Sequence, residues 1–177
     1  MTFPTDETDR LLSTTRSVRR RLDLERDVPE DLILDCIDLA EQAPTGGNQT
    51  SRRWLVIRDP KTKGRLADIY REAGGDWIID NAQRVAGTGH RSERTLDSAA
   101  HLARHLQDVP AIVLVTIYGK HDSSGRPGLF DSVIQSAWSF CLALRSRGLG
   151  SAWTTLHLGA ADRVADLLGL PEGVTQI

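Results

Sequence analysis

Two stretches of this 177-residue chain combine residue types that can do chemistry. The first is Arg16-Ser17-Val18-Arg19-Arg20-Arg21, which sets fixed cations beside a hydroxyl. That is the donor set a phosphate group needs. The second is Ala43-Pro44-Thr45-Gly46-Gly47-Asn48. A helix that stops at a proline and turns through two glycines leaves backbone N–H groups without helical partners. Asn48 adds a side chain that both donates and accepts. Such a loop suits the polar edge of a flat ring. Pro, Gly and Asn are also ordinary turn residues, and a basic run is also an ordinary solvated turn, so each stretch has a bland reading beside the chemical one.

The elements around these stretches alternate between helix and strand. Residues 6–15 read as a short helix and 29–43 as a longer one. In the latter Pro29 sits in the first turn, and Glu30 and Asp31 suit the positive end. Leu32, Ile33, Cys36, Ile37, Leu39, Ala40 and Ala43 recur at helical spacing. Residues 53–58 read as a strand. Asp59-Pro60 opens a helix that runs through Leu66, Ile69 and Tyr70 to Gly74-Gly75. The stretch 75–92 has no sustained period and reads as a loop or lid, or as a short helix near 77–84. A helix over 93–107 ends at Val109-Pro110. Residues 111–117 are a continuous β-branched run, as in a strand covered on both faces. Residues 119–128 read as a surface loop. The helix 129–147 is apolar nearly all round and must be enclosed on several sides, for which a partner subunit is one solution. A strand over 151–156 and a helix over 160–168 complete the pattern.

Composition excludes several classes. The chain is 40% apolar and 26% charged, with net charge −2. No global field favours nucleic acid or an anionic membrane. No run approaches the ~20 apolar residues of a membrane-spanning helix. The polar, acidic start (Thr5, Asp6, Glu7) is unlike a signal peptide. Cys36 and Cys141 suit reduced core thiols, and a cytoplasmic location is expected. No linker or repeat divides residues 1–177, which suggests one domain. Gly148-Leu149-Gly150 lacks the third glycine of a dinucleotide fingerprint. His101 and His105 are spaced like a helical metal pair, but the Glu of a zinc-protease helix is missing and Arg104 is a poor neighbour for a cation. His157 could line a pocket or be an ordinary boundary residue.

Taken in order, the basic run, the Ala-Pro-Thr-Gly-x-Asn loop before a strand carrying Trp54, and Gly148-Leu149-Gly150-Ser151-Ala152-Trp153-Thr154-Thr155-Leu156 resemble the FMN-dependent nitroreductase family. The resemblance implies an α+β fold, with a mixed central sheet flanked by helices, working as a homodimer around helix 129–147. It implies that Ser17 helps hold the flavin phosphate and ribityl chain, with Arg16, which lies between the family's basic positions, as a further cofactor-binding candidate beside it. It implies that Arg19 stands near the pyrimidine edge, where a cation would stabilise reduced flavin. Pro44, Thr45, Gly46 and Asn48 would reach the partner's flavin. Trp153, Thr154, Thr155 and Leu156 would pass beside its reactive edge, with the N–H groups of Thr155 and Leu156 near N5. No catalytic side chain and no metal is implied. The activity implied is electron transfer from NADH or NADPH to a nitroaromatic or quinone-type acceptor by ping-pong flavin chemistry. Other readings are a flavin-binding homodimer with little turnover, and a member with other flavin chemistry such as dehalogenation or flavin fragmentation. This chain departs from the family in three places. Thr15 stands where a basic residue is frequent. Ser51-Arg52-Arg53-Trp54 replaces a Gln-Pro-Trp run. Beyond Leu170, a further strand and a C-terminal arm with a phosphate-binding Arg are not expected.

Overall fold

The protein is described by a computed structural model that covers residues 2–49, 51–119 and 128–177, with side chains left out at 128–131. The first helix, α1, is Thr5–Thr14, and α2 is Glu30–Ala40. α2 buries Ile33, Cys36, Ile37 and Ala40, a stripe at helical spacing. It is shorter than its periodicity suggests. Beyond Ala40 the bonds tighten, with Gln42 N–H donating to Leu39 O and Ala43 N–H to Ala40 O, and Pro44 disfavours helix in the residue before it.

Strand β1, Arg52–Ile57, pairs antiparallel with β2, Ile112–Tyr118, in a register that sets Trp54 opposite Val115 and Leu55 opposite Leu114. The terminal strand β3, Val174–Gln176, pairs antiparallel with the far edge of β2. The expectation of no strand beyond Leu170 is therefore corrected. Three residues are too few to show a period, and the ladder to β2 makes the strand. Among the described residues the order is β1-β2-β3 with both ladders antiparallel, so the α+β class stands but the mixed ladder is not formed within them.

Helices cover both faces of the sheet. On one side Trp54, Val56 and Val113 pack on α2 and on α6, Gly128–Ser146. On the other, Leu55, Ile57, Ile112 and Leu114 pack on α3, Pro60–Tyr70, and α7, Ala161–Leu168. This double cover is why β2 reads as a nearly unbroken apolar run. α3 starts as its sequence indicates: Pro60 fills the first turn, and Asp59 accepts from Thr62 N and Thr62 Oγ1, each at 2.7 Å. A π-helical turn, Arg71–Gly75, joins it to α4, Asp76–Val85. Of the readings of 75–92, the short helix near 77–84 is the one formed, as α4, and residues 86–92 turn into the next helix. α4 packs against α5, Glu93–His105, and the Glu93 carboxylate accepts from Gly87 N and Gly89 N in the turn between them.

Residues 151–156 do not form the expected strand. Ser151 O accepts from Val18 N at 2.8 Å, and the Thr154 hydroxyl meets the Tyr70 hydroxyl at 2.7 Å. The segment spends polar groups on other parts of the chain, and Leu156–Ala160 closes into a 3₁₀ turn. The expected loop 119–128 lies, apart from its two ends, outside the described residues.

Candidate functional site

The basic run leaves α1 at Thr15. That residue is buried, and its hydroxyl donates to Leu11 O at 2.6 Å, closing the helix end. Thr15 therefore has a structural task that a long basic side chain would not perform. Arg16 and Ser17 are exposed beyond it, with Arg16 Nη1 donating to Thr15 O. Val18 turns inward onto the third segment. Its N–H bonds Ser151 O, and a Cβ on Gly150 would lie 3.2 Å from Val18 Cβ and Cγ1. A Cβ there would be tighter than ordinary van der Waals contact, so glycine suits this close approach. Arg19 is half-buried near Tyr70. Burial pushes the Tyr70 phenol above its ordinary value, and the Thr154 bond and the Arg19 charge oppose this. Tyr70 stays protonated at neutral pH and can bond the Thr154 hydroxyl. Arg20 pairs with Asp97 of α5 at the surface, and Arg21 is exposed.

The second segment is a short 3₁₀ turn, Gly46–Asn48, with Gly47 and Asn48 at φ 66° and 54°. Asn48 is the only non-glycine at positive φ among the described residues, a conformation its short polar side chain tolerates. Two of the loop's N–H groups are already engaged. Gly46 N donates to Ser132 Oγ at 3.0 Å, and Asn48 N to Thr45 O at 3.1 Å. What Asn48 offers outward is its exposed side chain. Pro44 is exposed and Thr45 half-buried.

Arg52, which the sequence reading passed over, holds this loop in place. Its side chain is buried, and it donates to Glu41 O at 3.0 Å, Ala43 O at 3.2 Å and Ser132 O at 3.2 Å. Its Nε lies 3.1 Å from Glu41 Oε1, which also accepts from Trp54 Nε1 at 2.8 Å. Arg52 thus caps the end of α2 and ties it to α6. The Arg in place of the family's Gln-Pro was the available signal, and nothing local shows that it turns inward.

The structure brings the first and third segments together but not the second. Loop 44–48 attaches to α6 at Ser132, whereas Ser151 bonds the Cys141 thiol. Nine residues of helix separate those two anchors, about 13 Å of rise and half a turn of rotation. The two segments attach to opposite sides of α6. Along α6 the described side chains Ile134 and Trp138 remain exposed, 45% and 43%.

Trp153, Thr154 and Leu156 are half-buried and Thr155 is exposed. Beside them His157 is buried, its Nε2 has no hydrogen-bond partner, and desolvation pushes its pKa down. His101 and His105 stack with ring centroids 4.6 Å apart, and His105 Nδ1 lies 3.0 Å from Asp108 Oδ2. Cys36 is buried, and desolvation, the main cause, raises its thiol pKa as it does that of Cys141.

The donor set fits FMN: two exposed groups, Arg16 and Ser17, suit a phosphate, and Arg19 lies beside a segment that glycine allows to pack closely. The helix-covered sheet, with a long helix between the two attached segments, has the architecture of a nitroreductase-like α+β protein. The family description for nitroreductases matches residues 12–177, and the chain belongs to that family. Iodotyrosine deiodinase of Drosophila melanogaster is 27% identical over 147 residues, which cover 79% of this chain and 49% of that protein. Iodotyrosine deiodinase of Thermotoga neapolitana is 28% identical over 142 residues, 79% of this chain and 69% of that protein. The chain spans about half the length of the fly relative. Among solved structures, an iodotyrosine deiodinase bound to FMN and 3-iodo-L-tyrosine superposes with TM-score 0.70 at 22% identity, covering 94% of this chain and 83% of that one. The FMN-dependent nitroreductase NfnB of Mycobacterium smegmatis, in complex with NADPH, gives 0.70 at 17% identity, with 97% and 84% covered. Both share the fold.

Proposed function

We propose that the chain is a single-domain FMN-dependent oxidoreductase acting as a homodimer, which takes electrons from NADH or NADPH and passes them to a small nitroaromatic or quinone-type acceptor. The observation that carries this reading is the close packing of residues 16–19 on residues 150–154, with Arg19 beside the Tyr70–Thr154 pair. FMN held there would supply the redox chemistry that links a nicotinamide donor to the acceptor in a ping-pong sequence. The chain's own residues bind and orient. Arg16 and Ser17 hold the phosphate. Arg19 places a fixed positive charge at the pyrimidine edge, where reduction builds negative charge. The N–H groups of Thr155 and Leu156 serve the reactive edge. Pro44, Thr45, Gly46 and Asn48 serve the site of a second copy. That assignment is supported by their attachment to the opposite face of α6 from Ser151 and by the exposed Ile134 and Trp138 between the subunits.

Reconstituted protein is expected to show a flavin absorbance spectrum with about one FMN per chain, and NAD(P)H oxidation that depends on a quinone or nitro acceptor. Protein left colourless after dialysis against excess FMN overturns the reading. A second reading, reductive dehalogenation of a halogenated phenol, is favoured by one observation: the two relatives compared above are deiodinases. Halide release from a halotyrosine under reducing conditions, with no turnover of quinones, would select it.

A further inference from the structure

The end of α3 runs into the π-helical turn Arg71–Gly75, and this junction meets the segment 154–159 at three points. Single π turns of this kind often stand at functional sites. At the first point the Tyr70 and Thr154 hydroxyls bond at 2.7 Å. At the second, Gly74 has φ 154°, and a Cβ on it would stand 3.2 Å from Leu156 Cδ2. Glycine suits both that conformation and that approach. At the third, a Cβ on Gly159 would lie 3.4 Å from Ala73 O and 3.7 Å from Ala73 Cβ. Tyr70 is held firmly from behind. It is buried, and it packs with Ala67 of its own helix and with Leu102 and Ala103 of α5. The hydroxyl is its only polar side-chain group, and it goes to Thr154. The Arg19 charge acts on the same phenol. Tyr70 belongs neither to the basic run nor to the segment after Gly150, yet it interacts with both.

We propose that Tyr70 is a positioning residue of the candidate flavin site: through the Thr154 hydroxyl it sets where the Thr155 and Leu156 N–H groups stand relative to Arg19. This role rests on the flavin reading above. Without the bond, the segment keeps only its packing on Gly74 and Ala73 at this junction. A small misplacement at a reacting edge costs rate far more than it costs binding at a remote phosphate. Tyr70 acts here through Thr154 and is not itself a catalytic residue.

The test is Tyr70→Phe, which deletes the hydroxyl and keeps the ring. In protein without FMN, amide hydrogen exchange over residues 153–158 is expected to be ~5–10-fold faster than in the parent, the worth of one neutral hydrogen bond, and unchanged over α2. Exchange at the parent rate over 153–158 overturns the role. In FMN-saturated protein, flavin reduction by NADH or NADPH, followed by absorbance, should slow ~5–10-fold while the flavin stays bound. A loss of stability with the parent's rate per bound flavin would make Tyr70 a core residue only and overturn the role. Adding Tyr70→Phe to Thr154→Val should change the rate by less than about twofold, because both act through one bond. Additive slowing overturns the route through Thr154. Parent protein that takes up no FMN sinks the flavin reading and this role with it; normal uptake with an unslowed variant sinks this role alone. If Tyr70→Phe does not fold, Thr154→Val removes the same bond from its other end, with the same slowing expected and an unslowed rate overturning the role.

Discussion

At the residue scale, Arg52 carries the largest consequence. Its guanidinium ends α2, reaches across to Ser132 O and shares Glu41 with Trp54. Removing it leaves three carbonyls short of a donor and Glu41 without its cation. Arg52→Met is expected to lower stability by about 2–4 kcal/mol, read from urea unfolding. Arg52→Lys should recover only part of this, because an ammonium cannot reproduce the planar fork. A Met variant as stable as the parent would show that the network holds nothing together. Arg19 is the residue whose effect should appear in the cofactor. In FMN-loaded protein Arg19→Ala is expected to lower the flavin midpoint potential by roughly 1–2 kcal/mol of electron affinity, the effect of one partly screened cation. Arg20→Ala is the control. Its partner Asp97 is half-exposed, so the change should cost about 0–1 kcal/mol of stability and leave the potential alone.

At the element scale, the start of α3 shows a local signal translated directly into geometry. Asp59 is exposed, yet its two bonds from Thr62, the side-chain one first, hold its carboxyl below the ordinary 3.8. A folded value depressed in this way contributes stability above pH 3.8, and the contribution is lost as pH falls through the lower folded value. Asp59→Ala should therefore melt below the parent protein at neutral pH, and the gap should close in acid. Melting temperatures of both proteins across the acid range check this; a gap that widens in acid contradicts it. The segment 151–156 teaches the opposite. Its composition favours a strand, but its partners are Val18 and Tyr70 rather than a neighbouring strand. β-propensity describes what fits a pleated, half-buried surface and yields to such context.

At the scale of the whole molecule, α6 is central. One side of it closes the core through Val133, Ala137, Phe140 and Leu144, while Ile134 and Trp138 are left facing outward. In the proposed dimer a second copy brings the segments on its two sides together. The proposed dimer should bury an apolar interface above roughly 2,000 Å², the range of obligate pairs. Sedimentation across a dilution series is expected to show dimer at micromolar concentration. Trp138→Lys should shift the protein towards monomer and weaken FMN binding with it. A well-folded monomer of the unaltered protein at micromolar concentration would sink both the dimer and the shared site.

What the sequence determined by itself is what neighbouring residues decide together. Asp59-Pro60 starts a helix, Ile33 to Ala40 make a stripe, 111–117 make a buried strand, and the basic run, the Pro-Gly-Gly-Asn loop and the Gly-Leu-Gly-Ser turn come in the order that marks the family. Each of these signals is complete within a few residues, and here the tertiary contacts agree with it. Tertiary structure alone decided that Arg52 is buried, that Thr154 belongs to Tyr70, that Val174–Gln176 joins the sheet, and that loop 44–48 lies across α6 from the other two segments. The bonds that fix Arg52, Thr154 and the loop join residues 80, 84 and 86 positions apart. A polar group's choice of partner at that separation depends on which faces the helices bury. That is a property of the packed core, and no spacing along the chain records it.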